Sequence, residues 1–260
     1  MIFAIDIGNT NIVFGCIDDK KTYFTERVST DIKKTEVEYA VTFKYILDIH
    51  GVKKSDVEGV IISCVVPQLS DVVKKAVDAV IGKKSLMIGP GVKTGLNIMI
   101  DNPATLGADM VVGAVAAINL YQKRLSEPTP VILFDMGTAT TVSVIDGRGR
   151  FIGGMILPGP VVAIESLSSA ASQLPHISLE DPGRVIGKNT VDCMRSGIIY
   201  GYAALTDGTI DRIEEELGQK AFVLATGGLT GSIIPHCRRE ITVDEDLIMK
   251  GLLQIYKKNN

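Results

Sequence analysis

One phrase occurs twice in this chain. Its first copy runs Phe3-Ala4-Ile5-Asp6-Ile7-Gly8-Asn9-Thr10-Asn11-Ile12-Val13, and its second Leu133-Phe134-Asp135-Met136-Gly137-Thr138-Ala139-Thr140-Thr141-Val142-Ser143. Each copy drives a short apolar strand into Asp-x-Gly, passes through small hydroxyl or amide residues, and returns in a β-branched run. A repeat of this kind marks a duplicated structural unit and limits the folds open to the chain. Each copy predicts a hairpin whose turn carries one carboxylate, one glycine and several short hydrogen-bonding side chains. Glycine lets backbone approach a ligand, and successive N–H groups in a tight turn attract anions. A lone hairpin of this composition is equally a plain turn. The matching carboxylate in the second copy favours a pair of turns that hold the phosphates and metal of a nucleotide, hence phosphoryl transfer.

The chain has 260 residues, enough for one large domain or two ordinary ones. Ser126-Glu127-Pro128-Thr129-Pro130 supplies the boundary, predicting an N-terminal domain over 1–125 and a C-terminal domain over 130–260. In the first half, strands are expected at 2–7, 11–17 and 22–29, and a helix at 35–49 with Val37, Ala40, Val41, Tyr45 and Leu47 at helical spacing. The apolar run Val57–Val66 reads as a buried central strand. A helix at 68–81, a short strand at 85–88 and a long helix at 106–125, apolar nearly all round, follow. The second half repeats the plan: strands at 131–136, 140–146, 150–156 and 221–225, and helices at 159–172, 190–217 and 244–256. This is an α/β chain with mixed sheets flanked by helices.

A formal net charge of -3 argues against nucleic acid as the main partner. The cysteines at 16, 64, 193 and 237 lack metal-ligand spacing, and no apolar run is long enough for a membrane span. The N-terminus opens directly into a strand without signal-peptide features, so a cytoplasmic protein is expected. Neither Gly-x-x-x-x-Gly-Lys-Ser/Thr nor a strand-borne Gly-x-Gly-x-x-Gly is present, which removes two common nucleotide folds.

Asn102-Pro103-Ala104-Thr105-Leu106-Gly107-Ala108-Asp109-Met110 stands at the start of the long helix. Asp109 there is either a favourable first-turn acid or a general base aimed at the γ-phosphate. Gly107 and Ala108 keep the adjoining wall low. Gly153-Gly154, Pro158-Gly159 and Thr226-Gly227-Gly228 are further places where backbone can come close to something.

These residues resemble the actin, Hsp70 and sugar-kinase superfamily in their paired Asp-x-Gly hairpins. Over essentially the whole chain they are similar to type III pantothenate kinases. That closer resemblance rests on Asp6-Ile7-Gly8-Asn9-Thr10, Gly107-Ala108-Asp109, Asp135-Met136-Gly137-Thr138-Ala139-Thr140-Thr141, Gly153-Gly154 with Pro158-Gly159, and Lys188-Asn189-Thr190. It implies two ribonuclease-H-like (actin-like ATPase) domains and a homodimer. The implied reaction is ATP-dependent phosphorylation of the primary hydroxyl of pantothenate, at the start of coenzyme A synthesis. Mg²⁺ would serve as the divalent ion and potassium or ammonium as a monovalent one. By resemblance, Asp6, Ile7, Gly8, Asn9, Thr10, Asn11, Ile12 and Val13 border the ATP phosphates, Thr138 contacts ATP, and Asp109 is the base. Gly107, Ala108, Asp109, Met110 and Thr190 serve pantothenate, Thr190 across the dimer interface, and Asp135 holds the monovalent cation.

Two positions depart from the family pattern. Met110 stands where the family usually has arginine, and Ile100 where it commonly has tyrosine. Both lie on the acceptor side by resemblance, with Lys93 and Arg195 as candidates to compensate. The alternatives are a kinase of the same fold acting on another small hydroxylated molecule, and a non-catalytic regulatory member. Retention of Asp6, Asp109 and Asp135 opposes the last.

Overall fold

The computed structural model describes residues 1–260. In chain order the first elements are β1 (Ile2–Ile7), β2 (Asn11–Ile17), β3 (Thr22–Ser29), α1 (Glu36–Ile49), β4 (Gly59–Cys64), α2 (Pro67–Ile81) and β5 (Leu86–Met87). Next come β6 (Asn97–Ile98), α3 (Ala108–Leu120), β7 (Val131–Met136), β8 (Ala139–Ile145), β9 (Arg150–Pro158) and α4 (Pro160–Ala170). The chain closes with α5 (Thr190–Leu217), β10 (Phe222–Thr226), α6 (Thr230–Ile233), β11 (Thr242–Val243) and α7 (Leu247–Asn259).

These elements form two compact units, and the units are not contiguous halves. The first comprises Met1–Leu96, Asp101–Leu120 and Asp246–Asn260; the second comprises Asn97–Ile100 and Tyr121–Glu245. The division expected at 125/130 therefore misses two exchanges. The C-terminal helix α7 belongs with the first unit, because Met249, Leu252, Leu253 and Ile255 bury their apolar stripe against Ile2, Ala4, Val112 and Val115. Strand β6 pairs in parallel with β9 and so belongs with the second unit.

The duplication is explicit in the topology. The first sheet has the order β3-β2-β1-β4-β5 and the second β11-β10-β7-β8-β9-β6. Read from the opposite edge, β7 to β11 occupy the places of β1 to β5, and β6 is an added edge. Strands β1–β3 of the first sheet and β7–β9 of the second are antiparallel neighbours, and the pairs β1–β4 and β7–β10 are parallel.

In the first unit, one sheet face carries Phe3 and Phe14 against Phe43 of α1, with ring centroids 5.2–5.9 Å apart in edge-on contact. Such pairs contribute about 0.5–1.5 kcal/mol each beyond their burial. They also set the rotation of α1. Tyr39, Phe43 and Leu47 are buried, whereas Val37, Val41 and Tyr45 of the expected stripe are exposed. Two apolar stripes share this helix, and the one carrying the bulkier aromatics takes the core. The expected helix at 106–125 shortens to α3, preceded by a 3-10 turn at Pro103–Thr105. Residues 111–117 of α3 are all buried, as its apolar circumference requires. In the second unit, Ile132, Phe134, Met136 and Val142 pack with Ile199, Ala203 and Ile210 of α5. Asn189 caps α5 at its start through the Asp192 amide, and Gly218 ends it in a left-handed conformation.

Candidate active site

The first unit gathers its candidate residues where β1 and β4 end. The amide of Gly8 donates to the Asn11 carbonyl at 3.0 Å and closes the turn. Thr30, just beyond β3, clamps the turn from the side. Its amide donates to the Thr10 carbonyl at 2.8 Å and its hydroxyl to the Gly8 carbonyl at 2.6 Å. Asn9 and Thr10 stand exposed at the tip, while Ile12 is buried in the core as a turn anchor. The candidates Ile7 and Ile12 thus shape the turn by packing, and Asp6, Gly8, Asn9, Thr10 and Asn11 form its polar part.

On the same unit, Asp109 is the second residue of α3. Its Oδ1 accepts the Met110 amide at 2.7 Å. Burial pushes its carboxyl above the ordinary Asp range, and the backbone amides of Met110 and Asp109 only partly oppose that shift. A carboxylate raised in this way is a better proton acceptor than an ordinary Asp. A side chain at Gly107 would strike that carboxylate, since a Cβ there would lie 2.5 Å from Asp109 Oδ1.

The second hairpin is tighter than the first. In the first, Ile7 pairs with Ile12; in the second, Met136 pairs with Thr140, one residue fewer around the turn. Asp6 is consequently opposite Val13 but Asp135 is opposite Thr141, so the two matched phrases present different residues to each face beyond the turn. Two glycines crowd this turn. A Cβ at Gly159 would be driven into the carbonyl oxygens of Gly137 and Thr138, and the Gly159 amide donates to the Thr138 carbonyl at 3.0 Å. Gly227 has φ +99°, and a Cβ there would lie 2.7 Å from Asp135 Oδ1 and 2.6 Å from the Met136 carbonyl oxygen. The Asp135 carboxylate is therefore lodged against bare backbone. Thr138 is exposed at the turn, and Thr190 is exposed as the first residue of α5.

Arg195 does not offer a free guanidinium: it pairs with Glu180 at 2.8 Å and donates to Ser178. Met110 and Ile100 are both half-buried, Met110 on α3 of the first unit and Ile100 in the short segment that joins the second. Thr30 and Ser63 escaped sequence reasoning. Thr30 follows a polar strand end that gives no hint of its contacts, and Ser63 sits inside an apolar run.

Duplicated Asp-bearing hairpins on two mixed sheets flanked by helices define a fold of the actin-like class. Solved structures of that fold align along the chain. A Campylobacter jejuni protein described as a Baf-family transcriptional activator gives a TM-score of 0.59 at 20% identity, covering 99% of this chain and 98% of its own. The polyphosphate/ATP-glucomannokinase of an Arthrobacter strain gives 0.50 at 15% identity, covering 99% and 97%. The sequence is more particular. The chain belongs to the type III pantothenate kinase family, whose model matches residues 2–212. A type III pantothenate kinase of Bacillus cytotoxicus is 40% identical over 259 residues, covering 100% of this chain and 97% of its own length. The activity of that family is ATP-dependent phosphorylation of pantothenate, in coenzyme A biosynthesis.

Proposed function

We propose that this chain phosphorylates the primary hydroxyl of pantothenate with Asp109 as general base. The observation that carries the assignment is the half-buried carboxyl of Asp109 at the start of α3, its Oδ1 accepting the Met110 amide and its pKa raised by partial burial. Asp109 takes the hydroxyl proton as the oxygen bonds to the γ-phosphorus, and the bond to the bridging oxygen of ADP breaks. Little covalent work falls to the protein; positioning and charge neutralisation carry most of the barrier reduction. Asp6 through Val13 border the phosphates and Thr138 contacts ATP. Gly107, Ala108, Met110 and Thr190 serve the acceptor.

No group of three or more His, Cys, Asp or Glu side chains is clustered to cage a metal. That fits Mg²⁺ held by Asp6 and phosphate oxygens, since this ion keeps several waters and rarely takes an all-protein shell. When bound, it would neutralise charge on the transferring phosphoryl group. Asp135, lodged beside the bare Gly227 backbone, fits a monovalent cation, potassium or ammonium. No helix is long and apolar enough to cross a membrane. A cytoplasmic homodimer, with the exposed Thr190 reaching the partner's acceptor, is the assembly the family resemblance supports.

The test is a coupled ADP-release assay with ATP, Mg²⁺, potassium and pantothenate, with mass spectrometry of the product. Accumulation of 4′-phosphopantothenate is expected. Nucleotide binding with pantothenate left untouched overturns the acceptor and favours the alternative of another small alcohol. The regulatory alternative gains no support from the Campylobacter structure, because likeness at 20% identity speaks for the fold alone.

Met110 gives a specificity test. Methionine cannot donate a hydrogen bond to an acceptor carboxylate, whereas arginine donates in a charge-assisted fork. Met110→Arg is expected to lower the KM for pantothenate about tenfold, the effect of a charge-assisted bond of roughly 1.5 kcal/mol, while leaving ATP affinity unchanged. An unaltered KM removes Met110 from the acceptor pocket.

A further inference from the structure

Ser63 is the penultimate residue of β4 and is fully buried, at 0% exposure. Its hydroxyl has no hydrogen-bond partner within the protein. A hydroxyl taken out of water and left unmade is costly, and an alanine would fill the same strand position without that cost. The rest of the strand is apolar: Val60, Ile61 and Ile62 precede it, all fully buried. The single hydroxyl of this run falls beside a carboxylate. In the parallel pairing of β1 with β4, Ser63 is the partner of Asp6, so both side chains leave the same sheet face. That is the face on which Ala4 and Ile61 meet Val112 and Val115 of α3, the helix that carries Asp109 at its start. The arrangement recurs in the second unit, where Thr226, 1% exposed, is the partner of Asp135. Each of the two hairpin carboxylates thus has a buried hydroxyl at the neighbouring position of the adjacent strand.

We propose that Ser63 is a positioning residue whose hydroxyl holds a water of the divalent-cation shell at Asp6. The proposal rests on the reading of Asp6 as the carboxylate that faces the metal–nucleotide complex. A hydroxyl accepts as well as donates, so a water whose oxygen faced the cation would donate to Ser63 Oγ. Groups that orient a metal shell without ligating the metal commonly change its affinity when removed. The hydroxyl that no protein group satisfies then finds a partner in the bound metal–nucleotide complex.

The test uses the full chain and Mn²⁺ with ADP as the probe, read by the electron paramagnetic resonance signal of free and bound Mn²⁺ well below the melting midpoint. Wild type, Asp6→Asn, Ser63→Ala and Ser63→Cys are compared, with the Tm of each ligand-free protein. Both Ser63 variants are expected to weaken Mn²⁺ binding in the presence of ADP by about tenfold or more. Ligand-free Ser63→Ala should melt no lower than wild type, because it loses no hydrogen bond to another protein group. Mn²⁺ affinity that falls in Asp6→Asn but holds in both Ser63 variants overturns the proposal and leaves the reading of Asp6 standing. Affinity unchanged in Asp6→Asn overturns that reading, and the role of Ser63 with it. A lower ligand-free Tm in Ser63→Ala at unchanged Mn²⁺ affinity makes the hydroxyl a structural group and also overturns the proposal.

Discussion

Asp109→Asn is expected to lower kcat about 10³-fold, within the range general-base catalysis supplies, while nucleotide still binds and the folded protein becomes more stable. The two effects share one cause. Burial raises the Asp109 carboxyl above its ordinary range, so the native state binds a proton there more readily than the unfolded chain does. The sign follows from linkage. Between the unfolded and the raised native pKa the native state carries more protons, so stability falls as pH rises through that window. Above the raised native pKa the cost of the desolvated charge is fully present. An asparagine removes the charge and still accepts the Met110 amide, which donates to Oδ1 at 2.7 Å. Thermal melts at pH 7 should show a higher midpoint for the variant, and the gap should close as pH falls below the ordinary Asp range. The kcat/KM of wild type should fall on the acid side as Asp109 protonates, and the residual activity of the variant should lack that limb. Robust turnover of Asp109→Asn with ATP and acceptor saturating means that another group, or none, takes the proton.

Gly227→Ala is expected to destabilise the protein and to abolish stimulation by potassium over sodium. The residue sits at φ +99°, where an L side chain is strained by about 1–3 kcal/mol, and its Cβ would press on the Asp135 carboxylate and the Met136 backbone. Relief comes only by moving Asp135 or opening the turn. Gly208→Ala is the control, since a Cβ at that position of α5 meets nothing and helix propensity favours alanine. It should keep cation stimulation. Stimulation that persists in Gly227→Ala, measured below its melting midpoint, separates Asp135 from the cation. Equal activity of wild type in sodium and potassium dismisses the monovalent site outright.

The sequence was most legible where local rules act alone. Strands β1, β2 and β3 fall at 2–7, 11–17 and 22–29 as the polar turns between apolar runs require. Helix α5 spans 190–217 because Asn189 and Gly218 are strong stop signals at either end. The duplicated phrase implied the duplicated sheets, and the carboxylates it carries sit at matching strand positions. Of the three two-residue strands only β5 was legible, within the short strand expected at 85–88; β6 and β11 are too short for any periodicity, and each exists only because a longer neighbour offers an edge.

What the sequence determined by itself was the kind of unit, its repetition, and the residue types at its turns, since alternation, turn chemistry and capping are local properties. Tertiary structure alone decided four things: that α1 turns Tyr39 and Phe43 inward rather than Val37 and Val41, that α7 returns to the first unit, that Thr30 clamps the first turn, and that Ser63 stands beside Asp6. Each depends on which distant surfaces meet, and burial and the pairing of distant strands hold no fixed spacing along the chain.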